Sequence, residues 1–179
     1  MKLIVGLGNP GQKYEKNRHN VGFLAIDYLI DKFNASKVSS KFKGDLYKAG
    51  EYLFLKPTTY MNLSGEAVRV VKDFYKIPNE EIIVIHDDID LKLGALKFKR
   101  GGGSGGHNGL KSIDSHIGND YWRIRVGVGR PERKEEVVNY VLSDFKDNEM
   151  ECIKGLFPII AKAVGNIQEA PSRYSKKGC

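Results

Sequence analysis

The sequence predicts an α/β fold, a single domain in which a twisted, mixed β-sheet is flanked by helices on both faces. Three observations carry this expectation. Short apolar runs that stop at glycine, proline or acidic residues, such as KLIVGL before GNPG and EIIVI before HDD, read as buried strands. Between them lie longer segments with apolar side chains at helical spacing, beginning with NVGFLAIDYLIDKF. The chain has 179 residues, enough for one sizeable core and too few for two comfortable ones.

Taken in order, KLIVGL is a strand closed by a turn, and Asn20 is the N-cap of the helix that follows it. KGDLYKAGEYLFLKP reads as a strand hairpin around AGE, and SGEAVRVVKDFYKI as a helix closed before Pro78. EIIVIHDD is a buried strand that turns polar from His86 onward. LKFKR alternates as a strand, then comes the glycine loop RGGGSGGHNG, then a helix over NGLKSIDSHI. WRIRVGVG alternates again, with Ile124, Val126 and Val128 on one face. EEVVNYVLSDF looks helical, and Met150, Ile153, Leu156, Phe157, Ile160, Ala163, Val164 and Ile167 mark a last helix. Pro158 interrupts that helix, since an internal proline costs about 3 kcal/mol. From about residue 170 the tail APSRYSKKGC reads as a loosely ordered end.

Composition narrows the class of function. Hydrophobic residues make up 41% and charged residues 28%, which argues against disorder and against a fibrous repeat. Lys and Arg number 29 against 22 Asp and Glu, a net charge of +7 that favours a polyanionic partner such as nucleic acid. Cys152 and Cys179 make neither a disulfide framework nor a zinc site and point to reducing surroundings. The apolar run of MKLIVGLGNPG is too short for a signal peptide or a membrane span, so the expected location is cytoplasmic.

Gly101, Gly103 and Gly106 fit the spacing G-x-G-x-x-G. A dinucleotide site needs a buried apolar strand before the glycines, and KFKR is an alternating basic one; a phosphate loop of the Walker type needs a Lys that does not follow. The glycines instead let the backbone approach a ligand closely and feed it toward a helix N-terminus at His107 and Asn108.

In open α/β sheets the ligand crevice lies beyond the carboxyl ends of the strands, where Asn9, His86 and Asp87 fall. His19 sits just before a helix. If Asp87 reaches it, the carboxylate holds one imidazole tautomer and leaves the other nitrogen to take a proton from water. There is no G-x-S-x-G elbow and no nearby cysteine, so a directly activated water is favoured over a covalent nucleophile. Asn9, Asn62 and Asn108 stand at segment junctions, as turn formers and caps or as neutral donors to a developing oxyanion. Asp87, Asp88 and Asp90 leave a Mg²⁺ site open as an alternative. Alternation puts Lys97 and Lys99 on one strand face, about 6.6 Å apart, and Arg123 and Arg125 repeat the pattern, as a solvated edge or as a row of phosphate contacts.

GLGNPG, Tyr14, RHNVGF, PTTYMNLSG, HDDIDL, KFKRGGGSGGHNGLKSI and WRIRVGVGRP, in this order over roughly residues 1 to 145, resemble the bacterial-type peptidyl-tRNA hydrolases. The resemblance implies a monomeric enzyme without metal, cofactor, membrane or obligate protein partner. Its substrate would be peptidyl-tRNA, held through the 3′ CCA end and the 5′ phosphate region, and it would cleave the ester joining peptide to tRNA. By the same resemblance His19 is the catalytic base, Asp87 its stabilising carboxylate, and Asn9 the residue that tells N-blocked from free aminoacyl substrates. Tyr14, Tyr60, Asn62 and Asn108 are substrate contacts, Lys99 and Arg125 grip the 5′ phosphate, and Met61 and His107 line the cleft. Asn17 stands where many members have Thr and reads as a loop variation without chemical consequence. Beyond Ser143 the resemblance thins. Two competing functions remain at this level: a non-catalytic RNA-binding module, and a Mg²⁺-dependent phosphohydrolase using HDDID.

Overall fold

The computed structural model describes residues 1–179. Its strands are β1 (Lys2–Gly6), β2 (Ser36–Ser39), β3 (Gly44–Ala49), β4 (Tyr52–Pro57), β5 (Ile82–Asp88), β6 (Ala95–Arg100), β7 (Trp122–Gly127) and β8 (Lys176–Lys177). Its helices are α1 (Val21–Lys32), α2 (Ser64–Tyr75), α3 (Asn108–Ile117), α4 (Val137–Val141), α5 (Asp147–Lys154), α6 (Phe157–Val164) and α7 (Ala170–Arg173). The strands form one mixed sheet in the order β2-β3-β4-β1-β5-β7-β6-β8. β4, β1, β5 and β7 run parallel in its centre, and antiparallel strands complete both sides.

The central strands are apolar on both faces, as strands covered twice must be. Ile4, Phe54, Ile83, Ile85, Ile124 and Val126 face one core, which α1, α5 and α6 close with Ile26, Leu29, Ile153, Phe157 and Ile160. Leu3, Val5, Leu53, Leu55, Ile82 and Val84 face the other, closed by Val68 and Val71 of α2 and by Leu110 and Ile113 of α3. No helix is long and apolar enough to cross a membrane.

The start of α1 is pressed onto the strand ends. Leu7 N–H donates to the Ile85 carbonyl and Phe23 N–H to the Leu7 carbonyl, both at 3.1 Å. A Cβ on Gly22 would stand 2.5 Å from backbone atoms of Leu7 and Ile85, so only glycine permits this approach. The 3₁₀ turn Arg18–Asn20 that precedes α1 is thereby set directly over the ends of β1 and β5.

Differences from the sequence reading concentrate in the second half of the chain. The expected helix over 135–145 is a 3₁₀ turn at Lys134–Glu136 followed by the short α4. The expected last helix is two, with Pro158 in the first turn of α6, where its missing N–H costs nothing. The tail expected to be loose carries α7 and β8: Ala170 is buried, and Lys176 and Lys177 pair with Leu96 and Ala95. Cys152 and Cys179, read from the sequence as making no disulfide framework and as a sign of reducing surroundings, form a disulfide-bonded pair with Cα atoms 6.1 Å apart.

Candidate active site

β1, β5, the glycine loop and α4 enclose one cleft of about 650 Å³. Asn9, His19, Met61, Asn62, Asp87, Lys99, His107, Asn108 and Arg125, all singled out in the sequence, line it together. Tyr14 and Tyr60 are not among the lining residues; they meet edge to face, 6.5 Å between ring centroids, and Tyr60 directly precedes the lining residue Met61 in the chain.

Asp87 is at the centre. It stands at the end of β5, 3% exposed, and both of its oxygens are engaged. His19 Nδ1–H donates to Oδ2 at 2.8 Å, and His107 Nε2–H donates to Oδ1 at 2.7 Å. Because Nδ1 of His19 carries the hydrogen that meets the carboxylate, Nε2 is the ring nitrogen left with a lone pair. His107 is fixed from its other side: as N-cap of α3 its Nδ1 accepts from the Gly109 and Leu110 N–H groups at 3.1 and 3.3 Å. That acceptance assigns the proton to Nε2 and ties the carboxylate to a helix terminus.

Burial is the largest single influence on each group here, and at His19 and Asp87 the neighbours together outweigh it. Burial pulls the His19 pKa down, but the charge and hydrogen bond of Asp87 raise it above the ordinary 6.5. Burial pushes Asp87 up, but the two imidazoles bring its carboxyl well below the usual carboxylate range. His86 has no carboxylate of its own: burial, then proximity to His107, push it down to about 4. Its Nδ1–H donates to the Asp87 carbonyl at 2.8 Å. It is therefore a neutral strut under the site.

Asn9 is held by a residue that the sequence reading used differently. Asn20, expected to cap α1, makes no side-chain cap bond. Its amide instead accepts from Asn9 N–H and donates to the Asn9 carbonyl, both at 2.9 Å. Asn9 Oδ1 accepts from Met61 N–H at 2.8 Å, which leaves the Asn9 Nδ2 donors directed at the cleft. The segment it anchors is strained: Tyr60 has φ 69° and ψ 154°, a region nearly reserved for glycine. Asn62 and Asn108 expose their amides on the same cleft.

The glycine loop has Gly101, Gly102, Gly105 and Gly106 at positive φ, which explains why glycine stands at these four positions. Arg123 stands behind the loop. The sequence suggested a solvent-facing or phosphate-binding partner for Arg125, but Arg123 is buried, donates to the Gly103 carbonyl and pairs with Asp114 at 3.1 Å. Arg125 is half-buried and pairs with Asp88 at 2.8 Å, whereas Lys99 is exposed and unpaired.

Asn17 is no idle loop variation: it is buried and donates to Asp144 Oδ1 at 2.6 Å. Beside it Arg18 donates to the Ser143 hydroxyl at 2.6 Å and pairs with Glu149 at 2.8 Å, under the rings of Tyr140 and Phe145. These contacts latch the end of α4, whose Val137, Val138 and Val141 form the apolar wall of the cleft, to the turn bearing His19.

A metal has donor atoms available in His19, Asp87 and His107, all within 4.8 Å of one another, but it would have to displace both hydrogen bonds of the carboxylate. The Mg²⁺ alternative fares worse. Asp88 is engaged by Arg125 and by Asp90 N–H, and Asp90 by Arg130, so the three carboxylates of HDDID are committed to ring and guanidinium partners.

Known proteins match this chain along its length. The family model described as "Peptidyl-tRNA hydrolase" matches residues 3–177. A peptidyl-tRNA hydrolase of Sulfurovum sp. is 56% identical over 99% of this chain and 97% of its own, and one of Sulfurimonas denitrificans is 51% identical over 98% and 97%. Among solved structures, peptidyl-tRNA hydrolase from Acinetobacter baumannii superposes with a TM-score of 0.93 at 37% identity, covering 99% of this chain and 96% of that one. Its fold and its sequence together make the chain a member of the peptidyl-tRNA hydrolase family.

Proposed function

We propose that this protein hydrolyses the ester between the peptide and the tRNA of peptidyl-tRNA, with His19 as general base. The observation that carries the reading is the His19–Asp87 hydrogen bond at 2.8 Å, which leaves His19 Nε2 free within a cleft bordered by basic strands. In this reaction Nε2 takes a proton from water as the water oxygen attacks the ester carbonyl carbon. Asp87 stabilises the imidazolium that forms, and the proton then passes to the departing 3′ oxygen of the tRNA. A positioned base contributes about 10²- to 10⁴-fold, and an amide donor at the oxyanion about 10²- to 10³-fold. An ester needs less assistance than an amide, so these contributions suffice.

Asn9, with its Nδ2 donors turned to the cleft, is suited to the blocked amino group's carbonyl and so to rejecting free aminoacyl-tRNA. Asn62, Asn108, Tyr14 and Tyr60 contact the substrate, Met61 and His107 shape the cleft, and Lys99 with Arg125 takes the 5′ phosphate region beyond the CCA end. The enzyme acts as a cytoplasmic monomer without a protein partner. The test is release of acetyl-amino acid from acetyl-aminoacyl-tRNA in the presence of EDTA. The wild type is expected to release it and His19→Ala to bind tRNA without turnover; binding without release by both proteins would favour a non-catalytic module instead.

A further inference from the structure

The basic face of the sheet is wider than the pair of strands that the sequence marks out. In the β6–β7 register Lys97 lies opposite Arg125 and Lys99 opposite Arg123. Like charges directly opposite each other are destabilising. The arginines are relieved by Asp88 and Asp114, while Lys97 and Lys99 have no carboxylate within ion-pair distance. A face built this way holds positive charge in reserve for an anion from outside.

β8 adds to that face. It pairs antiparallel with β6, Lys177 opposite Ala95 and Lys176 opposite Leu96, and directly paired residues project to the same side of a sheet. Ala95 shares its side with Lys97 and Lys99, whereas Leu96 shares its side with Phe98 and faces the core. Lys177 therefore stands on the basic side, about 7–8 Å diagonally from Lys97, and Lys176 stands on the other. Lys177 is exposed and, like its two neighbours, has no ion-pair partner. The strand is held by more than its ladder: Cys179 N–H donates to the Leu93 carbonyl at 3.2 Å, and Cys179 is paired with Cys152 of α5.

We infer that β8 belongs to the nucleic-acid interface, and that Lys177 continues the phosphate-binding row Lys99–Lys97 onto the outer edge of the sheet. The partner is the sugar-phosphate backbone of the tRNA next to the end held in the cleft. The inference rests on the peptidyl-tRNA reading given above. Its distinguishing feature is the sidedness of two adjacent lysines with the same charge on the same strand.

The experiment compares Lys177→Glu with Lys176→Glu, measuring KM for acetyl-aminoacyl-tRNA from about 50 to 200 mM salt, where phosphate contacts weaken steeply. Lys177→Glu is expected to raise KM about three- to tenfold, and Lys177→Ala to lower the salt slope by about one. Lys176→Glu should stay within about twofold of wild type, and melting temperatures identify any variant that has lost β8. Equal responses of the two glutamate variants, or none, overturn the inference while leaving the hydrolase reading in place. A wild type that neither turns over nor binds the tRNA overturns both.

Discussion

The two ends of the cleft are built on opposite electrostatic plans. At the Asp87 end each carboxylate oxygen meets an imidazole, each imidazole is fixed from another side or aimed into the cleft, and almost nothing is exposed. At the basic end Lys97 and Lys99 face like charges and are left unpaired. The first arrangement holds a reactive group still and neutralises its surroundings in advance. The second leaves its charge to be neutralised by the partner. On the proposed mechanism chemistry and binding are separated in space, and substitutions at the two ends should change different kinetic constants.

The sharpest way to break that separation is Asp87→Asn. It should lower kcat by about 10²-fold or more and leave KM little changed; an unaltered kcat would remove Asp87 from the mechanism. The same variant carries a pH signature. If His19 is the base, as proposed, its unprotonated form is the active one and its pKa is raised above the ordinary 6.5, so wild-type kcat is expected to rise with pH through a limb above that value. Without the negative charge of the carboxylate, burial weighs more heavily on the ring, and the remaining activity should show its limb at lower pH than in the wild type. A limb that stays in place would mean that another group titrates.

At the other end, Lys99→Ala should raise KM severalfold and flatten the salt slope by about one, with the chemical step preserved at saturation. An unchanged slope would exclude a phosphate contact. The smallest effect tests the join between the two ends. His107→Ala removes the N-cap of α3, which costs about 1 kcal/mol and should lower the melting temperature by about 2–4 °C. His107→Asn restores a capping oxygen and the lost stability but not the hydrogen bond to Asp87; recovery of kcat as well as stability would show that the carboxylate does not need this partner.

Legibility in the sequence followed the size of the local signal. The buried strands β1 and β5 and the helix α3 were plain, because a run of three or four apolar residues closed by a turn signal, or apolar residues at helical spacing, leaves few alternatives. β2, exposed along SKVS, carries no such pattern, and β8 is two lysines paired to an edge, which no periodicity announces. The meeting of His19 and Asp87 was legible from their places at a helix start and a strand end. Asn20 was misread as a cap, because its true partner, Asn9, lies on another element. Arg123 and Asn17 were misread for a related reason: a polar side chain that is buried by tertiary contacts looks the same in sequence as one in water. The cysteine pair was hidden by its 27-residue separation.

Gly22 brings this molecule's main chain into van der Waals contact with itself at the one place where three elements of the site converge. The interval between His19 and Asp87 is accordingly set in part by backbone contact. The same economy makes the unit of β1, the turn at Arg18–Asn20, the start of α1 and the end of β5 a transplantable frame, whose dimensions a designer could copy without copying the protein around it.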